Sequence, residues 1–189
     1  MKDNPIILGV DDATFRFDQS YNNTYLIGVV CQGTRMVEVV KEKIQIDGND
    51  STESIIKLIK KNHNNIQYVA THTITFGGFN LMDIYEVYNK THIPIIAVTE
   101  RKVDLHAVKN ALLKRFPAKY NEKISCIARA GNLFETEIST AAGKSKLYYH
   151  SIGIGIEEVE KLLEIISIDS KLPECVRMAH IIGRAFRNY

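Results

Sequence analysis

Three segments near the start of the chain carry the apolar, aromatic and β-branched residues that are typical of strands. They span residues 6–17, 24–30 and 36–46. The tight-turn signal Gln32-Gly33-Thr34 separates the second segment from the third. The pattern therefore predicts an antiparallel meander of three strands.

The spacing of the apolar residues changes after the third predicted strand. A helical start at Asp50-Ser51-Thr52-Glu53 precedes the apolar residues Ile55, Ile56, Leu58 and Ile59. The pattern then predicts a strand over 66–74, a helix over 79–88, a strand over 93–98 and a helix with Leu105, Val108, Leu112 and Leu113 on one face. Alternation of strand and helix is the crossover unit of a parallel sheet.

The last third of the chain contains further short elements. They are an apolar segment over 124–128, strand-like pieces over 134–138 and 146–150, a helix over 157–166 and a last helix that Pro173 opens. Three antiparallel strands followed by parallel crossovers with flanking helices predict an α/β fold with a ribonuclease H-like mixed sheet. Such a topology leaves the function open.

Composition narrows the class of protein. With 189 residues, of which 45% are hydrophobic and 24% charged, we expect a single domain over 1–189. No window approaches the roughly 18 consecutive apolar residues of a membrane span, and the N-terminus lacks the pattern of a signal peptide. We expect a cytoplasmic protein without membrane contact.

Cys31, Cys126 and Cys175 lack zinc-ligand spacing and are expected to be buried hydrophobes.

The distribution of charge gives one local signal. The net charge of +2 is too small to give the whole protein a basic field that would by itself indicate nucleic-acid binding. Between residues 101 and 123, however, seven basic residues stand against two acidic ones. This segment could meet phosphates, and a solvated helix face explains it equally well.

The first apolar run ends in two adjacent carboxylates, Asp11 and Asp12. Burying an ionised carboxylate costs roughly several kcal/mol unless a partner or a metal compensates it. Alternation along a strand sends the two side chains to opposite faces, so one can occupy a site while the other caps a turn or meets solvent. Two interpretations stay open: a metal-binding acid on a central strand, or a surface turn after a core strand.

Metal-dependent phosphodiester cleavage requires several carboxylates that converge, and Mg²⁺ prefers such oxygen ligands. The candidate acids are Asp11, Asp12, Asp47, Asp50, Glu53 and Asp83. Each of the later ones has a structural alternative. Asp50 and Glu53 have capping-box spacing, Asp47 precedes a glycine as in a turn, and Asp83 fits the polar face of a helix.

Two further features follow the predicted fourth strand. His72 ends that strand, where the loops of open α/β sheets hold ligands, and a structural histidine is the alternative. Gly77 and Gly78 precede the predicted second helix, so their backbone could approach a phosphate, or they simply make a turn.

Several motifs resemble the archaeal proteins of domain-of-unknown-function family 99, which are similar to endonuclease V as distant relatives. Gly9-Val10-Asp11-Asp12 resembles the first strand of both families, and residues 47–52 are similar to a family 99 signature. The most specific match is Thr75-Phe76-Gly77-Gly78-Phe79-Asn80-Leu81-Met82-Asp83-Ile84. Residues 173–180 resemble the closing helix motif that the two families share.

The resemblance implies an endonuclease V-like domain and a nuclease that uses Mg²⁺ or Mn²⁺. Its implied substrate is DNA or RNA that contains a deaminated base or is structured. By position, the first catalytic aspartate falls on Asp11, the catalytic glutamate near Glu53 or Asp50, and the third carboxylate on His72 or Thr73. The histidine departs from the nuclease pattern. A neutral imidazole favours zinc or manganese over magnesium and removes one negative charge.

Two hypotheses follow. The first is a metal-dependent nuclease. Its catalytic set is Asp11, Glu53, His72 and Asp83, its metal ligands are Asp11, Asp12, Asp50 and Glu53, and its nucleic-acid contacts are Arg101, Lys102, Arg177, His180, Gly77 and Gly78. The second is a non-catalytic nucleic-acid-binding or protein-binding member of the fold with a degraded metal site. A third hypothesis is an enzyme that acts on a small phosphorylated or nucleotide substrate. The sequence leaves the oligomeric state open.

Overall fold

The computed structural model describes residues 4–17, 22–61 and 65–186. Within these ranges the strands are β1 (Ile6–Asp12), β2 (Asn23–Gln32), β3 (Arg35–Gln45), β4 (Tyr68–His72), β5 (Thr75–Phe76), β6 (Asn80–Leu81), β7 (Ile95–Thr99), β8 (Phe134–Thr140) and β9 (Gly143–Ile152). The helices are α1 (Ser51–Lys61), α2 (Ile84–Thr91), α3 (Leu105–Arg115), α4 (Tyr120–Arg129), α5 (Ile156–Ile166) and α6 (Glu174–Gly183).

The main sheet has the strand order β3-β2-β1-β4-β7-β9-β8 in the described part of the chain. Strands β1, β2 and β3 pair antiparallel, whereas β4 pairs parallel to β1 and β7 pairs parallel to β4. Strands β9 and β8 then add an antiparallel edge. This mixed sheet with flanking helices confirms the predicted fold class.

Helices cover both faces of the sheet. Alternation along β1 places Leu8 and Val10 in a core with Ile55 of α1 and Val87 of α2. Ile7 enters a second core, which includes Leu162 of α5 and Val176 of α6. Each fully buried aliphatic side chain contributes about 1.5–3 kcal/mol to folding, so the two cores hold the helices on both faces of the sheet. No helix in the described ranges is both long and apolar enough to cross a membrane.

Helix α6 lies directly on β1 because two glycines remove the side chains at the contact. A Cβ added at Gly9 would lie 2.3 Å from the carbonyl carbon of Cys175, and one at Gly183 would lie 2.9 Å from the carbonyl oxygen of Asp12. Substitution at either position therefore forces a backbone to move. Cys175, Cys31 and Cys126 are free and buried, which confirms the expectation for the three thiols.

Three predicted segments differ from the structure. Strand β1 ends at Asp12 and does not continue through residue 17, because the backbone N–H of Thr14 donates to Gly183 of α6 at 3.3 Å. The helix predicted over 79–88 begins only at Ile84, since the carboxylate of Asp83 caps it by accepting from the N–H of Glu86. Residues 75–81 instead form the β5–β6 hairpin, and the apolar segment 124–128 lies inside α4.

Candidate metal centre

Asp11 is buried at the end of β1, where two histidines from distant parts of the chain meet its carboxylate. Nδ1 of His180 lies 2.8 Å from Asp11 Oδ2, and Nδ1 of His72 lies 3.3 Å from the same oxygen. The other oxygen, Oδ1, accepts from the backbone N–H of Asp12 at 2.9 Å. His180 is about half exposed, with a side-chain exposure of 48%, so solvent reaches the cluster from the side of α6.

The sheet and the last helix position these three side chains. Parallel pairing sets Thr71 of β4 beside Val10 of β1, so that His72 and Asp11 follow at the same edge of the sheet. Directly after His72 the backbone of Thr73 takes a positive φ of 65°, which ends the strand. His180 lies one helical turn before Gly183, at whose position α6 touches β1.

The donor set fits a divalent transition-metal ion. The ligand atoms of Asp11, His72 and His180 all lie within 4.8 Å of one another. Donors that share one ion at about 2.1 Å stand about 3 Å apart, which is close to the spacing of both imidazoles from Asp11 Oδ2. One carboxylate and two imidazoles suit Mn²⁺ or Zn²⁺ better than Mg²⁺, which prefers oxygen ligands.

Negative charge concentrates around the cluster. Burial lowers the pKa of His72, but the hydrogen bond and charge of Asp11 outweigh it and leave the pKa above its ordinary value. Burial, reinforced by the charge of Asp11, raises the pKa of Asp12 to about 6, although Asp12 Oδ2 accepts from the N–H of Gly77 at 2.6 Å. The negative charge of Asp11 contributes to both shifts, and a bound cation would offset that charge.

The structure does not bring the later predicted acids into this cluster. Glu53 lies on α1, on the face of the sheet opposite α6, and its exposed carboxylate lies 2.6 Å from Nζ of Lys90. Asp83 caps α2 and lies 2.6 Å from Nε of Arg129. Their assignment to a metal or to catalysis stays a prediction that the cluster geometry does not support.

Asp50 and Asp47 make structural contacts. Asp50 accepts from the backbone N–H of Gln45 at 3.1 Å and from the amide of Asn80 at 2.6 Å. Asn80, from a distant segment, accepts from the N–H of Ser51 at 3.0 Å. The carboxylate of Asp50 is thus bonded to Gln45 and Asn80 and that of Glu53 to Lys90, which does not support the capping-box alternative for the pair. Asp47 has a positive φ of 56°, which confirms its turn interpretation.

Comparison with known proteins identifies the family. A family model described as endonuclease dU matches residues 5–187. The chain belongs to the endonuclease dU family. A UPF0215 protein from Thermococcus sibiricus is 35% identical over 183 residues, which cover 95% of this chain and 90% of that protein.

Two solved structures resemble this member of the endonuclease dU family. A protein of unknown function from Archaeoglobus fulgidus has a TM-score of 0.83 at 28% identity and covers 98% of this chain and 99% of its own. Ciona intestinalis endonuclease V, in complex with a 24mer DNA containing an inosine followed by a ribo-adenosine, has a TM-score of 0.59 at 12% identity, with 93% and 82% covered. The predicted kinship with an archaeal, endonuclease V-like family is confirmed.

The residues predicted to contact nucleic acid have varied surroundings in this endonuclease dU family member. Arg101 and Lys102 are exposed in the loop after β7. The guanidinium of Arg177 is held by Glu174 and by Asp169, the latter at 2.9 Å.

The expectation that Gly77 and Gly78 precede a helix N-terminus is wrong. The two glycines form the turn of the β5–β6 hairpin, both with positive φ, and α2 begins only at Ile84. The N–H of Gly77 donates to Asp12.

His180 is the residue whose place in the candidate centre the sequence did not indicate. The closing helix motif drew attention to it, but only as a nucleic-acid contact. The one local signal in the sequence is Gly183 three positions later, where α6 touches β1. The sequence does not show that α6 packs on β1, so the position of His180 three residues before Gly183 does not by itself indicate a contact with Asp11.

Proposed function

We propose that this protein is a divalent-metal-dependent endonuclease that cleaves nucleic acid. The observation that carries the proposal is the convergence of Asp11, His72 and His180 at one edge of the sheet. Membership of the endonuclease dU family and the fold shared with endonuclease V support it. Fold similarity alone supports no activity, so the proposal depends on the donor set.

Each of the three residues has a distinct role in this proposal. Asp11 is the anionic ligand, and its burial keeps solvent from screening its charge. His72 and His180 are neutral nitrogen ligands that favour Mn²⁺ or Zn²⁺ over Mg²⁺ in this centre. When bound, a divalent ion supplies Lewis acidity toward a phosphoryl oxygen.

The family description suggests the substrate class. It names dU, and deoxyuridine is the product of deoxycytidine deamination, so we propose DNA that contains this deaminated nucleotide as the substrate. The loop after β7 lies beside the centre, since His72 pairs with Val98 of β7 and the N–H of Thr73 donates to the carbonyl of Val98 at 2.7 Å. Arg101 and Lys102 in this loop are therefore our candidates for contacts to the substrate phosphates.

A cleavage assay tests the proposal. End-labelled strands that are identical except for one deoxyuridine, one inosine or no modified base are incubated with Mn²⁺, with Mg²⁺ or with a chelator. We expect Mn²⁺-dependent cleavage of the deoxyuridine strand, none in the chelator and none for the D11N variant. The matched control E164Q changes an exposed carboxylate on α5 and should cleave like the wild type.

Two outcomes contradict the proposal. Cleavage that persists in D11N, or that proceeds in the chelator, removes Asp11 and the metal from the reaction. Wild-type protein that binds the strands yet cleaves none of them under any metal favours the non-catalytic nucleic-acid-binding hypothesis.

A further inference from the structure

Aromatic side chains surround the guanidinium of Arg115 on the surface. Its Cζ atom lies 4.9 Å from the ring centroid of Phe17, 5.7 Å from that of Phe116 and 5.9 Å from that of Phe79. The rings of Phe15 and Phe17 pack edge to face with centroids 5.0 Å apart. These five residues, Phe15, Phe17, Phe79, Arg115 and Phe116, are called the aromatic platform below.

The most exposed member of the aromatic platform is Phe17. The residue is 61% exposed, and it belongs to neither hydrophobic core. An aromatic ring left in water forgoes the stabilisation that burial would give, so core packing does not explain its position. A flat ring with an open side is suited to a stacking partner.

Arg115 is held in a fixed orientation beneath that ring. Its terminal nitrogen lies 2.8 Å from Asp47 Oδ2, while Asp47 Oδ1 accepts from the backbone N–H of Phe79 at 2.8 Å. The guanidinium is therefore restrained both by an ion pair and by contact with aromatic rings. Such restraint lowers the entropic cost of binding a ligand on the aromatic platform.

The β5–β6 hairpin connects the aromatic platform to the metal centre. The N–H of Gly77 donates to Asp12, the neighbour of Asp11, at 2.6 Å. The next residue, Gly78, lies under Phe17, because an added Cβ there would be 3.2 Å from the Cε1 atom of the ring. Two consecutive residues thus contact the end of β1 and the exposed ring, so the aromatic platform and the metal centre lie at the same edge of the sheet.

The charge around the aromatic platform matches a phosphate backbone. Arg16 and Lys114 are exposed and adjacent in sequence to its members, and the exposed Lys119 follows Phe116 by three positions. Aromatic rings interleaved with cations are the usual construction of single-strand binding sites, in which bases stack on the rings and the cations meet phosphates. Bases within a duplex stack on one another, so a protein ring can stack fully only on an unpaired base.

We propose that the aromatic platform stacks an unpaired base of a single-stranded nucleic-acid substrate, next to the strand segment at the metal centre. This inference rests on the proposed function, which identifies the ligand as nucleic acid. It adds that the substrate is single-stranded or locally unpaired at this position.

Fluorescence tests the stacking directly, because the chain contains no tryptophan. The F17W variant carries a single indole, and an oligothymidine strand is titrated into it in chelator, so that cleavage cannot interfere. We expect saturable quenching of the indole by the single strand and little quenching by a duplex. The control is Y85W, which places the indole at a 51% exposed aromatic position on α2 and should show no quenching.

Affinity provides the second measurement. By anisotropy of a labelled oligothymidine, F17A should bind at least about fivefold more weakly than the wild type, whereas Y85A and F17W should bind like it. Affinity of F17A within about twofold of the wild type, or an unquenched indole in F17W, overturns the inference. Absence of single-strand binding by the wild-type protein also overturns it.

Failure of the proposed function gives a different result. If the wild-type protein binds the strand and F17W is quenched, yet no metal supports cleavage, the endonuclease proposal fails and the stacking inference stands. If the wild-type protein cleaves but F17W is not quenched, the reverse holds.

Discussion

His180 Nδ1 lies 2.8 Å from Asp11 Oδ2, although 169 positions separate the two residues in the chain. The contact exists because α6 lies directly against β1, where Gly9 and Gly183 leave no side chain between helix and strand. The candidate metal centre therefore depends on helix packing as much as on its own ligands. This dependence makes the packing testable by substitutions that do not touch the ligands.

The G9A variant should lose stability and metal affinity together. The added Cβ would lie 2.3 Å from the backbone of Cys175, so α6 must move, at a cost of about 1–3 kcal/mol. Urea unfolding measures the loss of stability, and titration with Mn²⁺ measures the loss of metal affinity. The control is G155S, where an added Cβ meets nothing within 4 Å and serine suits the N-cap of α5, so stability should be unchanged or slightly higher. A G9A variant as stable as the wild type would show that the contact is loose.

The K123M variant should be strongly destabilised. Lys123 is 2% exposed, and its Nζ donates to the carbonyl of Phe79 at 2.6 Å, to Asn49 Oδ1 at 3.0 Å and to the carbonyl of Gly48 at 3.2 Å. Methionine fills similar space but leaves these acceptors unpaired, at a cost of about 2–4 kcal/mol.

Thermal unfolding measures this effect. The expected fall in Tm for K123M is about 5–10 °C for a chain of this size. The K144M variant, which changes a 74% exposed lysine, should unfold at the wild-type temperature. Equal Tm values for K123M and the wild type would mean that the buried ammonium is not needed to join these segments.

His150 should contribute less to the stability of the fold as the pH falls through about 6.5. Burial lowers the pKa of His150, whose Nδ1 lies 3.0 Å from the carbonyl oxygen of Asn132. In the window between its folded and unfolded pKa values the unfolded chain binds more protons, so stability falls as the pH falls.

The H150N variant isolates this contribution. Asparagine retains a donor for the carbonyl of Asn132 but does not titrate. Urea unfolding should therefore show that the free energy of unfolding of H150N rises relative to that of the wild type between about pH 7 and pH 5, by at most about 1.4 kcal/mol per pH unit. Parallel pH profiles for the two proteins would argue against a lowered pKa of His150.

Much of the fold could be predicted from the sequence because its determinants are local. The three-strand meander depends on strand-like segments and on the turn at Gln32-Gly33-Thr34, and the crossovers depend on helical spacing. The β5–β6 hairpin could not be predicted in this way. It depends on the hydrogen bond from Gly77 to Asp12, a contact between residues 65 positions apart, and local spacing therefore favoured a helix from residue 79.

In the candidate site, too, local sequence indicated some residues, whereas tertiary contacts place the others. Asp11 could be identified because a carboxylate at the end of a buried apolar run needs a partner, and His72 because it ends the neighbouring strand. His180 could not be placed, since its approach requires the tertiary contact of α6 with β1. The position of Glu53 could not be predicted either, because it depends on which face of the sheet α1 covers.

The E53Q variant separates the structural assignment from the one based on family resemblance. Glu53 is exposed and paired with Lys90, so its replacement should cost at most about 1 kcal/mol of stability. Because it lies across the sheet from Asp11, Mn²⁺ affinity should stay at the wild-type value in a calorimetric titration. A tenfold or greater loss, about 1.4 kcal/mol, would place Glu53 in the centre after all.

Electron paramagnetic resonance of Mn²⁺ can show whether Asp11, His72 and His180 bind a metal ion, because a bound ion no longer contributes to the sharp spectrum of the free ion. Titration of the wild-type protein should show a binding site that D11N, H72Q and H180Q each weaken at least about tenfold, while E164Q leaves it unchanged. Wild-type affinity in D11N and H180Q would show that the cluster of Asp11, His72 and His180 is not the metal site.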